Sequence, residues 1–494
     1  MSETARPSIA THYLRYTIGN VLILLAGFIS YPIMTRLLSN AQYGVLGYFD
    51  AWMLILAVLI KLGSQHSVVR FYPHNGDQDA MLRFGSTFVL YSFVVSCGVW
   101  VVVALVLAIA TALGIVPEPI EAWIMLVLLL PTVCISYVTS FLTAQEHSDL
   151  SVRLNVAQRW GDVVIILGVV YFISRTAAGV YAARLISAIL VAIVGAIWLL
   201  RHVPMRWQER DVRRWVEGVR YGVPMGANEL AYIVLGFVDR VMLKQQLNDF
   251  VPVGIYSIGY GLALTGNGLL HAGLWTAYNQ GSIRVYETEG PKAVGVTKRK
   301  VPDGLIYVVA VLIVGTLVVG PDLLLLLSGH DKYRSAPVFV WETVIYLSSG
   351  LIGLCASGLV LHKRSGTIFM ITAVAAALNI VLNFFWIPIY GYMGAVYATA
   401  GCLIGLNCAQ FLFCPRELRA LPSMRSTLLA CALAALVWAI AHFTGLFGLT
   451  GHLFRLIAMG FLTLFGFVLP ALALDRPLRE ILYGYWKKRR AGQL

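Results

Sequence analysis

Apolar stretches of twenty residues or more recur along the chain from one end to the other, each closed by a short connection rich in charged residues, glycine or proline. A helix rises 1.5 Å per residue, so about 20 apolar residues cross the roughly 30 Å hydrocarbon layer of a bilayer. The pattern predicts about fourteen membrane-spanning helices. They lie over 17–38, 43–65, 86–112, 122–144, 155–174, 178–200, 221–243, 252–277, 304–327, 337–360, 368–388, 392–413, 427–446 and 453–474. The expected fold class is an all-α polytopic membrane protein. The first span carries no small-residue cleavage site and is expected to be retained rather than removed as a signal peptide.

Composition agrees: 59% of the 494 residues are hydrophobic and 12% charged, more apolar surface than a soluble core needs. The seven cysteines sit in or at the ends of apolar segments, with no CxxC or HExxH spacing, so neither a disulfide framework nor a metal site is expected. No cofactor is implied.

Charge gives the orientation. Cytoplasmic loops of membrane proteins hold the excess of Lys and Arg. Taking alternate connections, 28 of the 37 basic residues fall on one side, including six between 201 and 220, five between 284 and 300 and six after Asp475. Only Arg36, Arg175, Lys244, Lys332 and Arg334 fall on the other. Both termini are therefore expected in the cytoplasm. The net charge of +13 is accounted for by basic loops against an anionic inner leaflet, without a nucleic-acid partner.

A weak repeat organises the chain. Arg15-Tyr16 recurs as Arg220-Tyr221, Thr35-Arg36 as Asp239-Arg240, Tyr43-Gly44-Val45 as Val253-Gly254-Ile255, and Val180-Tyr181-Ala182 as Val396-Tyr397-Ala398. The expected organisation is a six-helix lobe over 1–202, a basic linker over 203–220, a second six-helix lobe over 221–414, and two extra helices with a basic tail over 415–494. Lobes of even span number start from the same side, which implies a pseudo-twofold axis along the membrane normal and a substrate path between them.

Pro32-Ile33-Met34-Thr35-Arg36-Leu37-Leu38-Ser39 with Tyr43-Gly44, Tyr221-Gly222-Val223-Pro224 with Val238-Asp239-Arg240, and Leu378-Asn379-Ile380 through Asn383 to Ile387-Pro388 and Gly391–Ala395 give the chain a resemblance over nearly its whole length. It resembles the Wzx-type polysaccharide transporters, oligosaccharide flippases of the multidrug/oligosaccharidyl-lipid/polysaccharide (MOP) superfamily. The resemblance implies two lobes around a central cavity, open alternately to each side of a bacterial inner membrane. It implies a polyprenyl-diphosphate-linked glycan as cargo, ion coupling by protons or sodium, and a polysaccharide polymerase and a chain-length regulator as further partners.

Ionisable groups inside a bilayer are costly unless they face a cavity or a partner, so they are the candidates for transport. Asp50 and Lys61 are eleven residues apart, which returns to about the same helix face, and Gln65 continues the stripe. These three form either a polar cavity wall, with Lys61 attracting phosphate or acidic sugar, or an interhelical pairing. Asn228 with Asp239 and Glu229 with Arg240 repeat that spacing in the seventh span. Glu229 and Asp50 are the ion-coupling candidates. Asp239, Arg240 and Arg36 read as a salt bridge or wet rim, and Asp162 with Arg184 as a buried structural pair.

Tyr256, Tyr260, Asn267, His271 and Tyr278 share a face of the eighth span, suited either to stacking on sugars or to helix packing. Thr372, Asn379, Asn383 and Trp386 share one on the eleventh, with interhelical hydrogen bonding as the alternative. Glu342 reads as a wet residue near a span end.

Two other functions compete. A polysaccharide polymerase or ligase needs a sizeable periplasmic catalytic loop, whereas the long connections, 201–220 and 281–303, fall on the basic side. An ATP-driven pump lacks its motif, because Gly290 to Gly295 has P-loop spacing but leads into Val296-Thr297. A small-molecule or amphiphile exporter of the same superfamily keeps the same architecture.

Overall fold

The computed structural model describes residues 9–73, 77–145, 148–270, 276–362, 364–445 and 451–480. The main helices in chain order are α1 (Ile9–Leu37), α2 (Asn40–Lys61), α3 (Ser64–Arg70), α4 (Gln78–Ala112), α5 (Pro119–Ala144), α6 (Ser148–Phe172), α7 (Ala177–His202) and α8 (Val212–Leu247). After them come α9 (Phe250–Leu270), α10 (Thr276–Glu289), α11 (Pro291–Ser328), α12 (Ala336–Cys355), α13 (Ser365–Tyr390), α14 (Tyr392–Phe413), α15 (Met424–Phe443) and α16 (His452–Leu474). No strand occurs among the described residues.

Eleven helices of the described residues are long and apolar enough to cross a membrane: α1, α2, α4, α5, α7 and α11 to α16. The remaining predicted spans, 155–174, 221–243 and 252–277, fall on α6, on α8 and, as far as Leu270, on α9; residues 271–275 lie outside the described residues and 276–277 begin α10. Helices α6, α8 and α9 have 25, 36 and 21 residues. They are long enough to cross but are diluted by polar residues such as Arg159, Asp162, Glu229, Asp239 and Asn267.

Two expectations are corrected. The second span does not run unbroken over 43–65. It ends at Lys61, because Leu62 (φ 52°) and Gly63 (φ 71°) both adopt the left-handed conformation, and α3 restarts at Ser64. The long basic connections are not loops either. Asp211 caps α8 by accepting from the amides of Arg213 and Arg214, so helix begins within the linker. Residues 276–289 and 291–303 are helical too.

The chain divides after Gly254 into two compact units. In the first, α5 packs against α7, α1 against α6, and α8 against α2 and α3. Gly44 of α2 faces the Phe250 carbonyl, and a Cβ on Gly254 would overlap the Asn40 carbonyl, so the two small-residue steps of the repeat pack backbone to backbone. The linker is fastened to α4: Ser86 Oγ accepts from the Arg206 amide and Thr87 Oγ1 from the Asp211 amide, both at 2.9 Å. Ser86 and Thr87 lie in a π-helical stretch of α4, Gly85–Tyr91, the kind of local widening that serves specific contacts.

In the second unit α13 pairs with α14, and α12 lies against α11 and α14. The C-terminal pair α15 and α16 packs on α11 through Val314, Val318, Leu433, Val437, Met459 and Phe467. Two carboxylates clasp it. Asp322 accepts from Arg455 at 3.1 Å and lies 2.6 Å from His452, while Asp475 accepts from Tyr307 at 2.6 Å and Ser426 at 3.1 Å.

Candidate functional site

The site in the first unit begins with three glycines. Gly218, Gly222 and Gly226 recur every four residues and so line one face of α8. A Cβ on Gly222 would overlap the carbonyl of Gly63, and one on Gly63 would overlap the carbonyl of Gly222. The break between α2 and α3 therefore lies directly on the α8 backbone, a close approach that only glycine on both sides allows. Ser67 Oγ donates to the Gly218 carbonyl at 2.6 Å, fixing α3 to the same face. Behind it, the fully buried Tyr137 hydroxyl bonds Ser64 and Ser96, tying α3 to α4 and α5.

This seating gathers three side chains from α2 and α3 around one carboxylate on α8. Glu229 Oε1 lies 3.9 Å from Lys61 Nζ, and its Oε2 lies 3.1 Å from Gln65 Nε2 and 3.3 Å from His66 Nε2. Lys61 is largely enclosed at 11% exposure, whereas His66 and Glu229 are each about a third exposed, at 37% and 36%. Gln65 is buried and its Oε1 has no hydrogen-bond partner among the described residues; the same holds for Oδ1 of neighbouring Asn228. The arrangement can hold one anion between a fixed ammonium and an imidazole, or release Glu229 to bind a proton or cation.

Asp50 belongs to a second cluster. Its Oδ1 accepts from Arg184 Nη1 at 2.6 Å and from the Tyr181 hydroxyl at 2.8 Å. Arg184 thus pairs with Asp50 rather than with Asp162, correcting the expected pair: Tyr181 and Arg184 are neighbours one turn apart on α7 and reach the same α2 carboxylate. Asp50 and Lys61 accordingly serve different neighbours, α7 and α8, instead of one continuous wall. Gln65 reaches Glu229 from a separate helix, after the break.

Other candidates are placed as follows. Asp239 and Arg240 are buried, so neither is a wet rim; the Arg240 guanidinium lies 4.8 Å from the Phe237 ring and donates to the Gly236 carbonyl. Arg36 is exposed. In the second unit Tyr256 and Tyr260 are fully buried, the first donating to Glu342 at 3.3 Å and the second bonded to the Tyr346 hydroxyl. Glu342 is itself fully buried, correcting its expected wet position. Asn267 is half-buried on α9 and Tyr278 half-buried on α10, while His271 lies outside the described residues. Asn379 and Asn383 are buried on α13, with Asn383 Nδ2 donating to Asn379 Oδ1 at 3.0 Å.

Sequence reading missed His66 and Tyr181. The signal for His66 was its place in Ser64-Gln65-His66-Ser67, a polar run directly behind an apolar span. Tyr181 stood in the repeat, but nothing in its spacing named Asp50 as its partner.

Residues 11–277 match the model of the family described as polysaccharide biosynthesis protein. No curated protein matches the chain. Among solved structures, it is similar to the lipid II flippase MurJ in an inward closed conformation, with a TM-score of 0.74 and 12% identity over 95% of this chain and 99% of that one. It is also similar to an inward-facing multidrug resistance MATE family transporter of the MOP superfamily, with a TM-score of 0.62 and 14% identity over 86% of this chain and 98% of that one. An outward-facing structure of such a transporter gives 0.54 and 14% over 87% and 97%. The shared property is the fold.

Proposed function

As the chain belongs to the polysaccharide biosynthesis protein family, we propose that it is a flippase for polyprenyl-diphosphate-linked oligosaccharide repeat units. It moves them from the cytoplasmic to the periplasmic leaflet of a bacterial inner membrane, by ion-coupled alternating access and without covalent chemistry. The observation that carries this reading is the gathering of Lys61, Gln65 and His66 around Glu229.

In this reading the basic bias places both termini in the cytoplasm, and Lys61 then stands at the cytoplasmic end of its span, where cargo loads. The cargo's diphosphate or acidic sugar takes the place of the Glu229 carboxylate on Lys61 and His66. Glu229, freed of its cationic partners, accepts the coupling proton or cation, and the unpaired acceptors of Gln65 and Asn228 receive sugar hydroxyls. Anion and coupling ion thereby occupy the site as linked events. Asp50 with Arg184 supports α2 beside it. A polymerase and a chain-length regulator receive the product.

The test is a gene deletion, with extraction of polyprenyl-linked glycans and assay of exported polysaccharide, complemented by wild type, Lys61→Ala and Glu229→Gln. Complete repeat units accumulating on lipid while export stops support flipping. Unchanged export together with lowered tolerance of amphiphiles supports a second reading, an amphiphile exporter, which the fold shared with the MATE transporters favours. Export restored fully by both variants would remove the Glu229 site from the mechanism.

A further inference from the structure

The first unit contains a cavity of about 500 Å³ that shares no residue with the Lys61 and Glu229 cluster. That volume is in the range of small-ligand sites. Its wall is apolar, built from Trp52 and Leu56 of α2, Leu107 of α4 and Met125 of α5, and its rim is formed by Lys244 and Asn248 where α8 ends. From Tyr48 to Leu56 it follows α2 for about 12 Å at 1.5 Å per residue.

Two features say what kind of molecule fits. The cavity opens to the outside beside α4: Val106 and Ile115 line it yet are 61% and 68% exposed. Val106 continues an outer face of α4 with Val102, Leu105 and Ile109, which on a membrane helix meets acyl chains, and Ile115 follows just past the helix end. Among the described residues lining the cavity, Lys244 is the one that carries a formal charge. Its ammonium is held at the mouth by Asn248 Oδ1 at 3.1 Å and by the Phe250 ring, whose centroid lies 4.7 Å away, and the first of these uses one of its three protons. The adjacent carboxylate, Asp249, is engaged with the Val251 amide at the start of α9. Lys244 lies in the last turn of α8, just past the end of the span expected over 221–243, where a lysine reaches lipid headgroups.

We propose that this cavity binds an anionic glycerophospholipid, one acyl chain inserted between α2, α4 and α5 and the phosphate on the Lys244 ammonium. Gln245 and Asn248 meet the glycerol and ester region. The lipid completes the unit's surface where protein atoms leave a gap, and its occupancy is independent of what the transporter carries.

The full-length protein in nanodiscs doped with diazirine-tagged phosphatidylglycerol tests this, with adducts mapped by mass spectrometry. Adducts are expected at Leu56 and Leu107. Ala110→Trp, which fills the cavity, is expected to remove them, and Lys244→Gln to lower them about tenfold, the factor of one charge-assisted contact. Tagged phosphatidylcholine is expected to label the wild type only as strongly as the glycerol lipid labels Lys244→Gln. Adducts confined to Leu105 and Ile109, or equal labelling by both lipids, overturn the proposal. So does displacement of the tag by a polyprenyl phosphate or a cationic amphiphile at equal mole fraction, which would assign the cavity to that class instead. Lys244→Gln lies at the rim, so it keeps the test decisive if Ala110→Trp does not fold.

Discussion

Glu229 draws its neighbours from two directions, Lys61 from the end of α2 and Gln65 with His66 from α3, and the three are not interchangeable. Gln65 offers a neutral amide, so Glu229→Gln keeps a hydrogen-bonding group while removing the charge that Lys61 balances. That variant is expected to bind glycan but lose the dependence of transport on a proton or sodium gradient, measured in proteoliposomes under imposed gradients. Lys61→Ala removes the enclosed cation itself. A hydrogen bond to a charged group is worth about 1.5–3 kcal/mol, so the apparent affinity for the lipid-linked glycan should fall roughly ten- to hundredfold.

The Asp50 and Arg184 pair, joined at 2.6 Å between α2 and α7, is expected to respond differently. Asp50→Ala strands a guanidinium that is 22% exposed and is expected to cost about 1–2 kcal/mol, below the cost of breaking a fully buried pair, read as a fall in Tm. Arg184→Ala added to it should recover part of that loss, because the double variant leaves no unpaired charge.

At the scale of helices, the governing contact is backbone on backbone at Gly63 and Gly222. Gly222→Ala places a methyl group against a carbonyl that has no rotamer to escape through. A cost of about 1–3 kcal/mol is expected, together with displacement of α3 and hence loss of transport out of proportion to the loss of Tm. Gly98→Ala is the matched control: a Cβ there meets nothing within 4 Å, and helix propensity should leave Tm equal or higher by about 1 kcal/mol of stability.

Helix positions were legible in the sequence because apolar length alone sets them; α5, α7, α13 and α14 begin and end within a few residues of expectation. The break after Lys61 was not legible. Leu62 in a left-handed conformation looks like any apolar residue in a run, and its cause is the glycine face of a helix 160 residues away. The partner of Arg184 was equally hidden, since charge and spacing allow Asp50 and Asp162 alike and only the packing of α7 chooses.

Across the whole molecule, each of the two units gathers elements that the repeat separates. α8, the first helix of the second repeat, packs within the first unit on α2 and α3, which is why Glu229 meets Lys61 at all. In the second unit the appended pair α15 and α16 is clasped to α11 at Asp322 and Asp475. Asp475→Ala takes the acceptor from the Tyr307 hydroxyl and leaves Ser426 with Ser423 alone, at a cost of about 1–3 kcal/mol. It is expected to lower Tm and to raise hydrogen exchange in α15 and α16 ahead of α13 and α14.

The fastening of the linker to α4 also decides how the protein meets a protease. Six arginines between 201 and 220 make this segment, on composition, the obvious trypsin target. A protease needs an extended stretch to thread, and here the amides of Arg206 and Asp211 are held by Ser86 and Thr87 while the chain is already helical from Val212. Limited trypsin digestion of the detergent-solubilised protein should therefore spare these sites at first. Ser86→Ala with Thr87→Val should open them, producing two fragments that meet in the linker while the transmembrane helices on either side stay intact.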